Sequence, residues 1–137
     1  MFTDNIKDMG TNEDKYNVTI LIAEDEESNF LLLKTILKRH CNVLQARIGL
    51  ELLKVFAEKG ADMILLDIKM PEMNGIEALK EIRKKDTNIP IIMQSAYAFE
   101  NDMEAARAAG SNGFITKPIN IVELKKTISK FLPQITW

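Results

Sequence analysis

Apolar positions in this chain gather into short runs that alternate with longer, helically spaced segments. The runs fall at residues 18–23, 42–46, 62–66, 89–94 and 112–116. VTILIA, MILL and IPIIMQ are apolar at nearly consecutive positions. Strands buried on both faces read that way, and helix-covered parallel sheets produce them. Pro90 opens its run, where a missing N–H does least harm. Helical patterns occupy residues 28–39, 49–59, 76–84, 99–109 and 121–132. Gly60 and Gly110 fall just past two of these ends, at the cap position glycine favours. Lys84, Lys85 and Lys130 lie in last turns, where cations suit the helix dipole. Ile121, Leu124, Ile128 and Phe131 form one stripe on the last helix. Strand–helix alternation repeated five times predicts an α/β domain over 18–132, a parallel sheet with helices on both faces and right-handed crossovers. Residues 1–17 are polar and aperiodic, a tail or linker, and residues 133–137 read as a C-terminal tail.

Bulk properties narrow the function classes. The length of 137 residues suits one domain. A net charge of −2 gives no electrostatic case for nucleic acid or an anionic membrane. A single cysteine, Cys41, excludes an internal disulfide framework and a thiolate metal cage, and suits a reducing cytoplasm. No apolar run reaches the length of about 18 that a membrane helix needs. The start of the chain has no apolar signal core. His40 and Cys41, at the end of the first helix, read as capping and burial, and Trp137 lies beyond the last helix.

In an open parallel sheet, ligands gather at the carboxyl ends of the strands. Residues just after the strands are Glu24, Asp25 and Glu26, then Arg47 and Gly49, Asp67, Ser95 and Ala96, and Lys117 and Pro118. Several carboxylates, one hydroxyl and one lysine thus converge on one edge. Two like charges about 4 Å apart repel by about 4 kcal/mol at an effective dielectric near 20. Such a cluster either protonates or holds a cation. Oxygen donors without His or Cys suit Mg²⁺, which needs one or two carboxylates plus phosphate oxygens. With Asp67 as a nucleophile of aspartyl-phosphate chemistry, an acyl phosphate of about −2 joins Glu24 and Asp25. Mg²⁺ and Lys117 together offset most of that charge, and neither does so alone.

Four ordered motifs, ILIAEDE, LLDIKMPEMNG, IIMQSAYA and GFITKP, resemble the receiver domain of bacterial two-component response regulators, the family of the chemotaxis response regulator. The resemblance covers about residues 18–132. It implies a flavodoxin-like strand order 2-1-3-4-5. It implies Asp67 as phosphoacceptor, Asp25 as a direct Mg²⁺ ligand, Glu24 assisting through water, and the Lys69 carbonyl as a further ligand. It also implies Ser95 as the switch hydroxyl, Lys117 as the phosphoryl counter-cation, and Phe114 as the aromatic that follows the hydroxyl. The Lys117–Pro118 bond is expected to be cis. Lys69 and Tyr97 match the positions the family ties to dephosphorylation rate, and a bulky Tyr97 predicts a long-lived phosphoryl state.

Departures from the commonest pattern are small. Glu24 stands where Asp is also common, Ser95 where Thr is frequent, and Phe114 where Tyr is frequent. The implied partners are a histidine kinase or a histidine phosphotransfer protein, with an output domain or downstream protein beyond. The expected settings are a stand-alone receiver, or one excised from a hybrid sensor kinase or a larger regulator, as a monomer or a phosphorylation-dependent homodimer. Two rivals stand beside this reading. An aspartate-nucleophile phosphatase carries a D-x-D pattern, and Lys69 stands where its second Asp belongs. A pseudo-receiver that never takes phosphate is opposed by the intact acids, Ser95 and Lys117.

Overall fold

The computed structural model describes residues 16–96 and 100–137, leaving out the side chains of residues 100 and 101. The elements are β1 (Thr19–Ala23), α1 (Glu27–Leu37), β2 (Asn42–Ala46), α2 (Gly49–Lys59) and β3 (Met63–Asp67). Then come α3 (Gly75–Arg83), β4 (Ile91–Ser95), α4 (Glu100–Ala109), β5 (Gly113–Thr116) and α5 (Ile121–Phe131). All neighbouring strands pair in parallel, in the order β2-β1-β3-β4-β5. This is the five-fold strand–helix sheet that the hydrophobic pattern predicts.

Side chains alternate across each strand, so the sheet feeds two cores. On one face Ile20, Ile22, Leu65 and Ile92 meet Phe30, Leu33 and Leu37 of α1 and Leu124 and Ile128 of α5. On the other, Leu21, Ile64, Leu66 and Met93 meet Leu52 of α2, Ala78, Leu79 and Ile82 of α3, and Ala106 of α4. Every residue of β3 and β4 is buried, which explains the apolar runs Met63–Leu66 and Ile91–Met93 with which they begin. Each fully buried Leu or Ile contributes roughly 1.5–3 kcal/mol.

Boundaries move by a residue or two. β4, expected from residue 89, begins at Ile91, because the Ile89 N–H goes to the Asp86 carboxylate at 2.9 Å and Pro90 has none to give. β3 and β4 each extend one residue further than expected, to Asp67 and Ser95, so both site residues are held in the ladder itself. Gly60 and Gly110 take φ of 70° and 111°, as their cap positions require.

Residues 133–137, read from sequence as a tail outside the domain, pack onto it instead. Ile135 is buried in the α1–α5 core. The His40 ring nitrogen Nδ1 lies 2.6 Å from the Thr136 carbonyl oxygen, and its ring centroid is 4.9 Å from that of Trp137. Trp137 Nε1 donates to Ser129 Oγ at 2.7 Å. The Asn42 side chain clamps the segment just before β1, accepting from Tyr16 N at 3.0 Å and donating to Tyr16 O at 2.7 Å.

Candidate functional site

The parallel register brings the ends of β1, β3 and β4 level, since Ala23 pairs with Leu66 and Asp67 with Gln94. The residues at that edge therefore share one cleft of about 320 Å³. Glu24, Asp25, Glu26, Asp67, Lys69, Ser95, Ala96 and Lys117 line it. Glu24, Asp67 and Ser95 are buried, while Asp25 and Lys69 are exposed.

Lys117 bridges the two buried acids. Its Nζ lies 2.9 Å from Glu24 Oε1 and 3.1 Å from Asp67 Oδ2. It reaches them from the segment after β5, where the Lys117–Pro118 bond is cis as expected and Lys117 N donates to Ser95 O at 2.8 Å. The other Asp67 oxygen, Oδ1, accepts from Lys69 N at 3.1 Å.

The loop after β3 is held by a close backbone approach. Gly75 N donates to Ile68 O at 2.7 Å, and a Cβ at Gly75 would lie 2.2 Å from the Asp67 carbonyl oxygen. Only glycine fits there. Asn74 and Glu77 then cap α3 reciprocally, through side chain to backbone N–H in both directions.

Burial raises the Asp67 pKa from 3.8 to about 6, the Glu24 charge adds to the rise, and Lys117 opposes it. For Lys117, burial favours the neutral amine, but bonds and charge from Glu24 and Asp67 outweigh it and the pKa goes up. The site thus holds more negative charge than its lysine balances. One oxygen from each of Glu24, Asp25 and Asp67 lies within 4.8 Å of the others. An all-oxygen donor set with surplus charge fits a hard divalent cation such as Mg²⁺.

Five site residues read from sequence, Glu24, Asp25, Asp67, Ser95 and Lys117, come together here, with Lys69 on the rim. Phe114 does not line this cleft. It is half-buried against the α2–α3–α4 core and lines a second cavity of about 270 Å³ with Met103, Arg107, Ser111, Asn112 and Gly113. Tyr97 lies outside the described residues. Sequence reasoning missed Asn29, whose amide donates to Glu24 Oε1 from inside α1. Its signal is a polar residue on the inward stripe of Asn29, Phe30, Leu33 and Leu37. It also missed the exposed Arg47–Glu27 ion pair of 2.7 Å near the mouth.

The family model for the response regulator receiver domain matches residues 20–129. The polar-differentiation response regulator DivK of Brucella anthropi is 33% identical over 117 residues, covering 83% of this chain and 95% of its own length. The chemotaxis protein CheY4 of Vibrio cholerae superposes with a TM-score of 0.79 at 26% identity, covering 83% of this chain and 98% of its own. The receiver domain of the sensor histidine kinase PA1611 from Pseudomonas aeruginosa also reaches a TM-score of 0.79, at 26% identity and over 86% of this chain and 99% of its own. That neighbour has a magnesium ion coordinated in its active-site cleft.

Proposed function

The chain belongs to the response regulator receiver domain family of two-component signalling, and from that membership we propose that it is a phosphorylation-activated switch with Asp67 as phosphoacceptor. The observation that carries the reading is Asp67 itself, a buried carboxylate in an acidic cleft with Lys117 bonded to it at 3.1 Å.

A phosphohistidine on a partner kinase or phosphotransfer protein is the donor. An Asp67 oxygen attacks the phosphorus, the O–P bond forms, and the N–P bond breaks. The departing imidazole nitrogen keeps the bonding pair and takes up a proton. Asp67 reacts as the anion, so its pKa of about 6 places the competent form above that pH in the metal-free protein. Lys117 already donates to this carboxylate and neutralises part of the arriving phosphoryl charge. Asp25, Asp67 and the Lys69 carbonyl would hold Mg²⁺ with Glu24 assisting, and the ion supplies positive charge toward the phosphoryl oxygens. Ser95 donates its hydroxyl to the phosphoryl group, Phe114 follows, and the α4–β5–α5 face changes shape. Lys69 and Tyr97 modulate the rate of hydrolysis.

Exposed apolar side chains support docking at this end. Of the six large apolar residues exposed among the described residues, Leu31, Leu32, Leu50, Ile121 and Val122 lie in the first two turns of their helices, and Trp137 lies beyond α5. Those turns surround the cleft edge of the sheet. No helix among the described residues is long and apolar enough to cross a membrane.

Intact mass after incubation with a small acyl-phosphate donor tests the reading. One added phosphoryl group is expected on the wild type with Mg²⁺, and none without Mg²⁺ or on Asp67→Asn. No addition under any condition favours the pseudo-receiver.

A further inference from the structure

Glu24 is fully shielded from solvent, and the protein engages most of its carboxylate. Oε1 accepts from Lys117 Nζ at 2.9 Å and from the Asn29 amide. Oε2 accepts from Glu26 N at 3.2 Å. A carboxylate has about four lone-pair sites, two on each oxygen. Both of those on Oε1 are therefore taken, and the carboxylate also bonds the Asp67 carboxyl beside it. Asn29 is itself buried, and it is the one donor to Glu24 that comes from an inward-facing side chain of α1. Only the NH₂ end of its amide can face a carboxylate, because the carbonyl end would repel it.

We propose that Asn29 is the positioning residue of the cation site. Its amide pins Glu24 Oε1 against α1, and so fixes the carboxylate whose oxygen lies within 4.8 Å of those of Asp25 and Asp67. A glutamate has one more rotatable bond than an aspartate and needs such a tether more. Without it, Glu24 is held at Oε1 by Lys117 alone and turns with that lysine, and the cation loses a fixed partner. Groups that orient metal-binding carboxylates in this way typically change metal affinity about 10–100-fold when removed.

The proposal rests on the reading of the cleft as a Mg²⁺ site, so wild-type Mg²⁺ binding is measured first, by amide chemical shifts in a Mg²⁺ titration without phosphodonor. Asn29→Ala is expected to raise the Mg²⁺ dissociation constant about 10-fold or more, and Asn29→Gln, which keeps the amide, to recover part of the loss. In a Glu24→Gln background, Asn29→Ala is expected to add nothing further, because the residue acts through Glu24. Urea unfolding in chelator, run alongside, separates affinity from folding. If Asn29→Ala does not fold, Asn29→Leu keeps the bulk and removes the donor. A wild type that binds Mg²⁺ with an unchanged constant in the donor-free variant overturns the proposal. So does an equal loss in the Glu24→Gln background, which would make Asn29 a packing residue. A wild type that binds no Mg²⁺ overturns the cation-site reading itself, and this inference with it.

Discussion

At Asp67 burial and the Glu24 charge favour the protonated acid, and Lys117 favours the carboxylate. The first two win, and the pKa rises from 3.8 to about 6. A carboxyl with a raised folded pKa binds its proton more tightly folded than unfolded. Its contribution to stability is full below the unfolded pKa and is lost as pH rises through the folded one. The metal-free protein is therefore expected to lose about 2 kcal/mol between about pH 4 and about pH 7 from this group. Asp67→Asn removes that loss. Urea unfolding in chelator across this range should show the variant gaining on wild type as pH rises. Adding Mg²⁺ at the upper end should stabilise the wild type alone. Gln94 is a second buried misfit, its Nε2 having no hydrogen-bond partner among the described residues. An unsatisfied buried donor costs roughly 1–3 kcal/mol. Gln94→Met is expected to stabilise the fold by about 1 kcal/mol in the same assay, and an unchanged or lowered midpoint would mean the amide has found a partner. The acids, Ser95 and Lys117 were legible in the sequence because each ends a strand at the ligand-binding edge. Asn29 was not, because its partner is set by how α1 lies on the sheet and not by its neighbours in the chain.

Elements were legible wherever a backbone constraint left a mark in the sequence, as at Gly60, Gly110 and the Asn74–Gly75 turn. What the sequence did not disclose is how tightly α3 starts against β3. At Gly75 the atom that a Cβ would strike is backbone, the Asp67 carbonyl oxygen, and cannot swing aside. Gly75→Ala is expected to cost about 2–3 kcal/mol, as overpacking of a rigid site does. Because the displaced carbonyl belongs to the phosphoacceptor, the mass-detected phosphorylation should also slow. At the opposite edge of the sheet, Arg83 ties α3 to the turn after α4. It donates to Gly110 O through Nε at 3.0 Å and Nη2 at 2.8 Å, to Asp86 O at 3.1 Å, and to Asn112 Oδ1 at 2.9 Å. That Asn112 oxygen also accepts from Ile91 N, the first residue of β4. Arg83→Met keeps the aliphatic stem and strips four bonds. A loss of about 2 kcal/mol is expected, with phosphorylation of the folded fraction unchanged. A slowed phosphorylation at unchanged stability would place Arg83 in the wrong role.

The molecule as a whole is a sheet between two helical layers, and its C-terminus closes one of them. Pro133 and Gln134 interrupt the helical period, and the few residues left carry no pattern of their own. Their contacts reach back to His40, 96 positions away, where local sequence has no signal. Ile135 shares its core with Leu37 and Cys41, both fully buried. The Cys41 thiol donates to Leu37 O at 3.6 Å, and burial pushes its pKa up to about 12. It reacts only when the structure opens, so its modification rate reports the population of open molecules. Deleting residues 133–137 removes a buried Ile and uncovers its neighbours, which should cost about 2 kcal/mol or more. A loss of 1.4 kcal/mol is about tenfold in an equilibrium constant, so Cys41 labelling by a thiol reagent should quicken by more than about tenfold. Phosphorylation of the truncated chain should persist, because the cleft lies at the opposite end of α5. If labelling quickens while the urea midpoint holds, the C-terminal segment opens alone, as a local cover over Cys41. If neither changes, Ile135 contributes nothing to the core in which it sits.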